Sequence, residues 1–248
     1  MHFYKTTLVL LIMFTNSKLF SYEEGIAQNG DLEIYYRDYG PKDAEPILLV
    51  QGIGGQLINW PEHLIDFLLE NNFRPIVYDN RDTGLSSRIP SDSFSDAKRD
   101  NTIVKNYIRY YLRLPIKSDY TLDDMAVDGI SVLDKLDIPE AHILGISMGG
   151  MIAQIIVSSH PERTKTFTLI ASTASTPSPF NGPTRKVRKL LMNRTKNPNS
   201  TVDERVERSR KIFTEIGYQG IDLNTQEFYN NVYESIERGG KDDTGFGR

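Results

Sequence analysis

Two hydrophobic periods alternate along this chain. Asp31-Leu32-Glu33-Ile34-Tyr35-Tyr36-Arg37 alternates polar with apolar positions, which predicts a strand wetted on one face near a sheet edge. Pro46-Ile47-Leu48-Leu49-Val50 is apolar throughout, as a strand covered on both faces must be, and Gly40-Pro41-Lys42-Asp43 turns the chain between the two. Leu64, Ile65, Leu68 and Leu69 then fall at helical spacing. Ahead of them Asn59-Trp60-Pro61-Glu62 offers a capping side chain, an early proline and a glutamate. Arg74-Pro75-Ile76-Val77-Tyr78 predicts the next strand. From Ser87 to Asp119 the pattern is polar and irregular, apart from a short helix around Val104 to Leu112. Thr121 and Asp124 open another helix, with Leu122, Met125, Ala126, Leu133 and Leu136 on one face and Pro139 as its stop. The apolar run His142-Ile143-Leu144 leads into Gly145-Ile146-Ser147-Met148-Gly149-Gly150. Met151 to Val157 follows as a buried helix ending near His160-Pro161, and Thr166 to Ile170 is a further strand.

Strands alternating with helices predict an α/β fold with a mostly parallel sheet and right-handed crossovers. The pattern changes after Ser172. Pro177, Pro179, Gly182 and Pro183 form a linker, and beyond it the chain is expected to fold as amphipathic helices lying as a lid over the C-terminal edge of the sheet. At the other end, Met1 to Lys5 carries a positive charge, Thr7 to Phe14 is apolar, and Ser21 suits cleavage. The expected organisation is therefore a signal peptide over 1–21, an α/β core over 22–175 and an incomplete helical lid over 176–248. A periplasmic or secreted location follows if that signal is real, and a cytoplasmic one if it is a mere apolar extension. The apolar run is too short for a stable membrane anchor.

Composition narrows the partners. A net charge of −4 gives no general attraction to nucleic acid. The basic cluster Arg185-Lys186-Val187-Arg188-Lys189 lacks interleaved aromatics and is read as the solvated face of a lid helix. The chain has no cysteine, which excludes disulfides and thiolate metal sites.

The chemistry concentrates at Ser147. A serine between strand and helix, flanked by Gly145 and Gly149, is lifted clear of the sheet in a strained turn, and small neighbours spare the collisions such a bend would cause. The Met148 N–H, at the start of the following helix, can then meet a developing oxyanion. The loop Gly52-Ile53-Gly54-Gly55 could supply a second donor from Ile53. As a phosphate loop it lacks the lysine and Ser/Thr of a P-loop and the spacing of a dinucleotide fingerprint.

With these motifs in sequence, the chain resembles the α/β-hydrolase superfamily, in the esterase-like branch that includes aclacinomycin methylesterase. The likeness rests on Gln51-Gly52-Ile53-Gly54-Gly55-Gln56, Asp79 to Ser86, Tyr120 to Ala126 and Gly145 to Met151, with His160-Pro161-Glu162-Arg163 adding to it. It covers the chain from about Ile26 onward. It implies Ser147 as nucleophile, the Ile53 and Met148 amides as oxyanion hole, a small-molecule ester as substrate, and no metal or cofactor. Gln51 stands where many members carry histidine.

One departure matters. In this fold the acid and the histidine follow the serine in the chain. Here the histidine after Ser147 is His160, thirteen residues on and near the far end of the same helix, roughly 20 Å away at the rise of an α-helix. His142 lies about 16 Å off at strand rise, toward the opposite edge of the sheet. His63 belongs to the first helix and His2 to the signal. Lid carboxylates such as Asp203 and Asp222 are not assigned as the acid. The family's last strands are expected after the lid and are missing, so a truncated product is favoured over a pseudoenzyme. A sheet ending at Thr166 to Ile170 would leave an open apolar edge. The expectation is a serine hydrolase acting through an acyl-enzyme, inactive as this chain. The alternative is a non-catalytic hydrolase-like protein that binds a small ligand.

Overall fold

The computed structural model describes residues 21–89, 108–109, 112, 114, 118–173, 184–193, 200–217, 220 and 222–239. The signal segment, the helix expected around Val104 to Leu112 and the proline linker lie wholly or mostly outside these residues.

A hairpin begins the fold. β1 (Tyr22–Asn29) and β2 (Leu32–Tyr39) pair antiparallel along their whole length, closed by Gly30 at φ +60°. The alternating strand of the sequence is β2, near the edge as expected but one strand in from the outermost place. β1, whose pattern is mostly polar and which buries only Ala27, holds that place. Then follow β3 (Glu45–Val50), a 3-10 turn (Leu57–Asn59), α1 (Glu62–Glu70), β4 (Phe73–Tyr78), α2 (Leu122–Lys135), β5 (Ala141–Ile146), α3 (Met148–Ser159) and β6 (Thr164–Ile170). The helices α4 (Arg185–Asn193), α5 (Val202–Ile216) and α6 (Gln226–Gly239) complete the described chain. The sheet runs β1-β2-β4-β3-β5-β6, antiparallel at the hairpin end and parallel from β4 to β6.

Two expectations about helix ends separate here. Thr121 does cap α2: its hydroxyl takes the Asp124 N–H, and Asp124 returns the bond to the Thr121 N–H at 2.7 Å. Asn59 does not cap α1. It ends the short 3-10 turn, and its side-chain oxygen takes the Gln56 N–H at 2.7 Å instead. Pro61 occupies the cap position of α1 with no side-chain bond.

The all-apolar strand β3 sorts its residues by parity. Leu48 and Val50 join Ile76, Tyr78 and Ile143 beneath α2 and α3, while Ile47 and Leu49 join Val77 and Leu144 beneath α1 and Trp60. Two buried ion pairs tie the hairpin end to this core. Arg74 grips both oxygens of Asp38 at 2.8 and 2.6 Å. Arg81 grips both of Asp128 at 2.6 and 2.7 Å, and Asn29 of β1 donates to the same carboxylate. The basic cluster lies on α4, with Val187 buried and Arg185, Lys186 and Lys189 exposed.

Candidate functional site at the β3 and β5 strand ends

β3 and β5 are neighbours in the sheet, but the helices that follow them cover opposite faces, α1 on one and α3 on the other. Where successive connections diverge in this way, the C-terminal strand ends open into a crevice, the usual place for a ligand in an open α/β sheet. The loop from Gly52 leaves β3 there, and Ser147 leaves β5 there. The two touch: a Cβ built on Gly52 would lie 3.2 Å from the Ser147 Cβ and 3.7 Å from its Oγ.

Ser147 sits at φ 54°, ψ −122°, outside the ordinary regions for a residue with a side chain, and it is exposed. Such a conformation costs about 1–3 kcal/mol and persists only where its surroundings impose it. They do so from both sides. The Ser147 N–H donates to the Ile170 carbonyl at the end of β6, and the Ser147 carbonyl takes the Gly150 N–H, each at 3.0 Å. The turn is tight enough to demand glycine at Gly149. A methyl there would land on the Val50 carbonyl oxygen and 2.5 Å from that of Gln51. At Gly145 a methyl would strike the Gly149 carbonyl from the strand side.

Both amides expected around an oxyanion lie in these segments. Met148 is the first residue of α3, so its N–H has no carbonyl four residues back to bond. Ile53 occupies the loop closed by the Gly55 N–H donating to the Gly52 carbonyl at 3.1 Å. Among the described residues no hydrogen bond engages the N–H of either Ile53 or Met148. Gln51 braces this loop from within. Its Oε1 takes the Gly52 N–H at 3.1 Å, and its own carbonyl takes the Asn80 side-chain amide at 3.1 Å.

The sequence pattern gives the Asp79 carboxylate no role. It is fully buried, and its Oδ1 takes the Leu57 N–H at 2.7 Å and its Oδ2 the Leu85 N–H at 3.0 Å. An aspartate closing an apolar strand was the available signal. Nothing in the pattern pointed to its third partner, Arg238 of α6, at 3.1 Å.

Among the described residues no hydrogen bond joins a histidine to Ser147. His63 is in α1. His142, at the opposite end of β5, shares a 2.7 Å hydrogen bond with Thr166 and stacks edge-on against Phe73. His160 follows the last turn of α3, beside Glu162. Burial drives the Tyr78 phenol far above its ordinary range, which leaves it unfit to exchange a proton. Among the described residues no group of three or more His, Asp or Glu side chains could hold a metal ion.

The family model for the alpha/beta hydrolase fold matches residues 45–242. Rhodomycin D methylesterase DnrP of Streptomyces peucetius is 27% identical over 231 residues, covering 87% of this chain and 65% of that protein. A putative carbamate hydrolase RutD of Variovorax paradoxus (strain S110) is 27% identical over 139 residues, 56% of this chain and 42% of that protein. The chain thus spans less than two thirds of the length of these relatives. In three dimensions it is similar to the 2-hydroxy-6-oxo-6-phenylhexa-2,4-dienoate hydrolase (BPHD) from Rhodococcus sp. strain RHA1, at a TM-score of 0.62 and 17% identity, over 92% of this chain and 72% of that one. A glycine-bounded serine bend at the β5 end, the sheet that carries it and the matched model agree, and the chain belongs to the α/β-hydrolase fold family.

Proposed function

We propose that Ser147 is the nucleophile of a carboxylic-ester hydrolase working through an acyl-enzyme. The observation that carries this reading is the exposed serine at positive φ, in contact with the glycine-rich loop. In the reaction, Ser147 Oγ attacks the ester carbonyl and the Ile53 and Met148 amides donate to the oxyanion. The alcohol then departs, and water releases the acid. A methylesterase and a carbamate hydrolase among the relatives support an acyl carbon bonded to oxygen as the target.

The serine needs a base, and no described histidine is hydrogen-bonded to it. The chain on its own is therefore expected to turn over no ester. The same observation favours a second reading, a hydrolase-like protein that binds a small ligand without reacting. Chemical rescue separates the two. With imidazole added as an external base, a fluorophosphonate should form an adduct at Ser147, detected by mass spectrometry and absent from Ser147→Ala. Without imidazole, p-nitrophenyl acetate should disappear no faster than with Ser147→Ala. No adduct under rescue points to the binding protein, and serine-dependent turnover without added base would show that a base is already present.

A further inference from the structure

α6 buries none of its residues, yet it is fixed to the core. Its contacts to the loops after β3 and β4 are polar. Asn231 donates to the Ile58 carbonyl at 3.0 Å, and Asn59 donates to Asn231 and Ser235 at 2.7 and 2.8 Å. Arg88 reaches the Gly239 carbonyl at 2.9 Å. One contact differs in kind. The Arg238 guanidinium, 5.5 Å from the centre of the Tyr35 ring, donates from Nη1 to Gln56 Oε1 at 2.8 Å and from Nη2 to Asp79 Oδ2 at 3.1 Å. Its side chain is 11% exposed and that of Asp79 is 0% exposed.

Asp79 thereby joins three segments that are far apart in sequence: the loop after β3 through Leu57, its own loop through Leu85, and α6 through Arg238. The first of these loops begins at Gly52, against Ser147. The second braces it through Asn80. We propose that Arg238 and Asp79 are positioning residues, a buried ionic tie by which α6 sets the two loops beside the Ser147 turn. The physical reason is the enclosed carboxylate. Two backbone amides orient it, but its counter-charge comes from α6, and a buried anion without one draws in water and slackens the bonds it accepts. Lysine cannot replace this arginine in full. The planar fork serves Gln56 and Asp79 at once while lying on Tyr35, and an ammonium reaches one acceptor without the stacking.

That these loops hold an oxyanion donor rests on the esterase reading; the tie itself does not. Hydrogen exchange resolved by residue on the intact chain tests it. In Arg238→Met, the Leu57 and Leu85 amides should exchange about tenfold faster while the amides of β3 and β5 keep their protection, because local opening is confined to what the tie holds. Arg238→Lys should fall between the two, and molar salt should move the wild type in the same direction. Loss of protection in α6 alone, with Leu57 and Leu85 unchanged, would overturn the proposal, since the carboxylate would then hold both loops unaided. If Arg238→Met loosens the whole sheet, Arg238→Lys decides. Acceleration of β5 in proportion to the loops in that variant makes the pair a matter of general stability and defeats the positioning role. Fluorophosphonate labelling under imidazole, run alongside, keeps the two readings apart. A wild type that never labels removes the esterase while the exchange result stands.

Discussion

β5 and β6 are adjacent parallel strands of similar local make-up, each apolar toward its end and each followed by a residue at positive φ, Ser147 at 54° and Ala171 at 45°. Their surroundings differ. β5 lies between β3 and β6, with Ile143 and Leu144 covered on opposite faces of the sheet. β6 has one neighbour in the described sheet and leaves Phe167, Leu169 and Ile170 between 38% and 39% exposed. Local pattern sets the type of element, and neighbours set what it buries. The exposed strand is nevertheless part of the site, because the Ile170 carbonyl anchors the Ser147 N–H. The turn on β5 depends on the strand with the thinner cover.

The contrast can be broken most sharply at the β5 end. Gly149→Ala places a methyl against two backbone carbonyls of β3 and its loop, neither of which can rotate away as a side chain would. We expect a loss of about 4 kcal/mol, read from the urea midpoint, at the high end for a single overpacked position. A loss below about 1 kcal/mol would mean that α3 slides off the strand ends freely and that the turn is less confined than its geometry implies.

A matched pair of truncations then measures the cover itself. Ile143→Ala empties space between β5 and the helices above it, and should cost about 3 kcal/mol. Leu169→Ala removes a half-exposed side chain on the next strand, and should cost less than about 1 kcal/mol. Equal losses at the two positions would show that β6 is covered in solution by something beyond the described residues.

How much of this was legible in the sequence follows from the same contrast. β3 and β5 were readable because apolar runs and glycine-bounded turns are local signals, and the crevice between them follows from strand alternation. β1 was not, since Tyr22-Glu23-Glu24 carries no alternation and its place comes from pairing with β2. Asn59 read as a helix cap because its neighbours fit a capping box, but in the fold its side chain turns to Gln56, Asn231 and Ser235. Asp79 and Arg238 meet across 159 residues of chain, and no periodicity records a pairing at that range.

The smallest effect belongs to the far end of β6. Lys165 there reaches Glu45 at the start of β3 with a 2.5 Å contact, on the side of the sheet where His142 of the intervening β5 also approaches Glu45 at 3.7 Å. Glu140 stands 4.0 Å from the same lysine. The hydrogen bond and charge of Lys165 hold the Glu45 carboxyl below its ordinary range, and Glu45 raises Lys165 above its own. A lowered carboxylate contributes stability that is complete above the ordinary glutamate range and fades as pH falls through the folded value. A raised lysine contributes below the ordinary lysine range and fades as pH climbs past it. Glu45 is half exposed, so water and salt screen most of the attraction. The wild type should exceed Glu45→Gln in urea midpoint by a small margin at neutral pH, and the margin should close both in acid and in molar salt. A margin that survives acid would mean that Glu45 stabilises the strand start by packing its stem, and that charge adds nothing to how β6 is held.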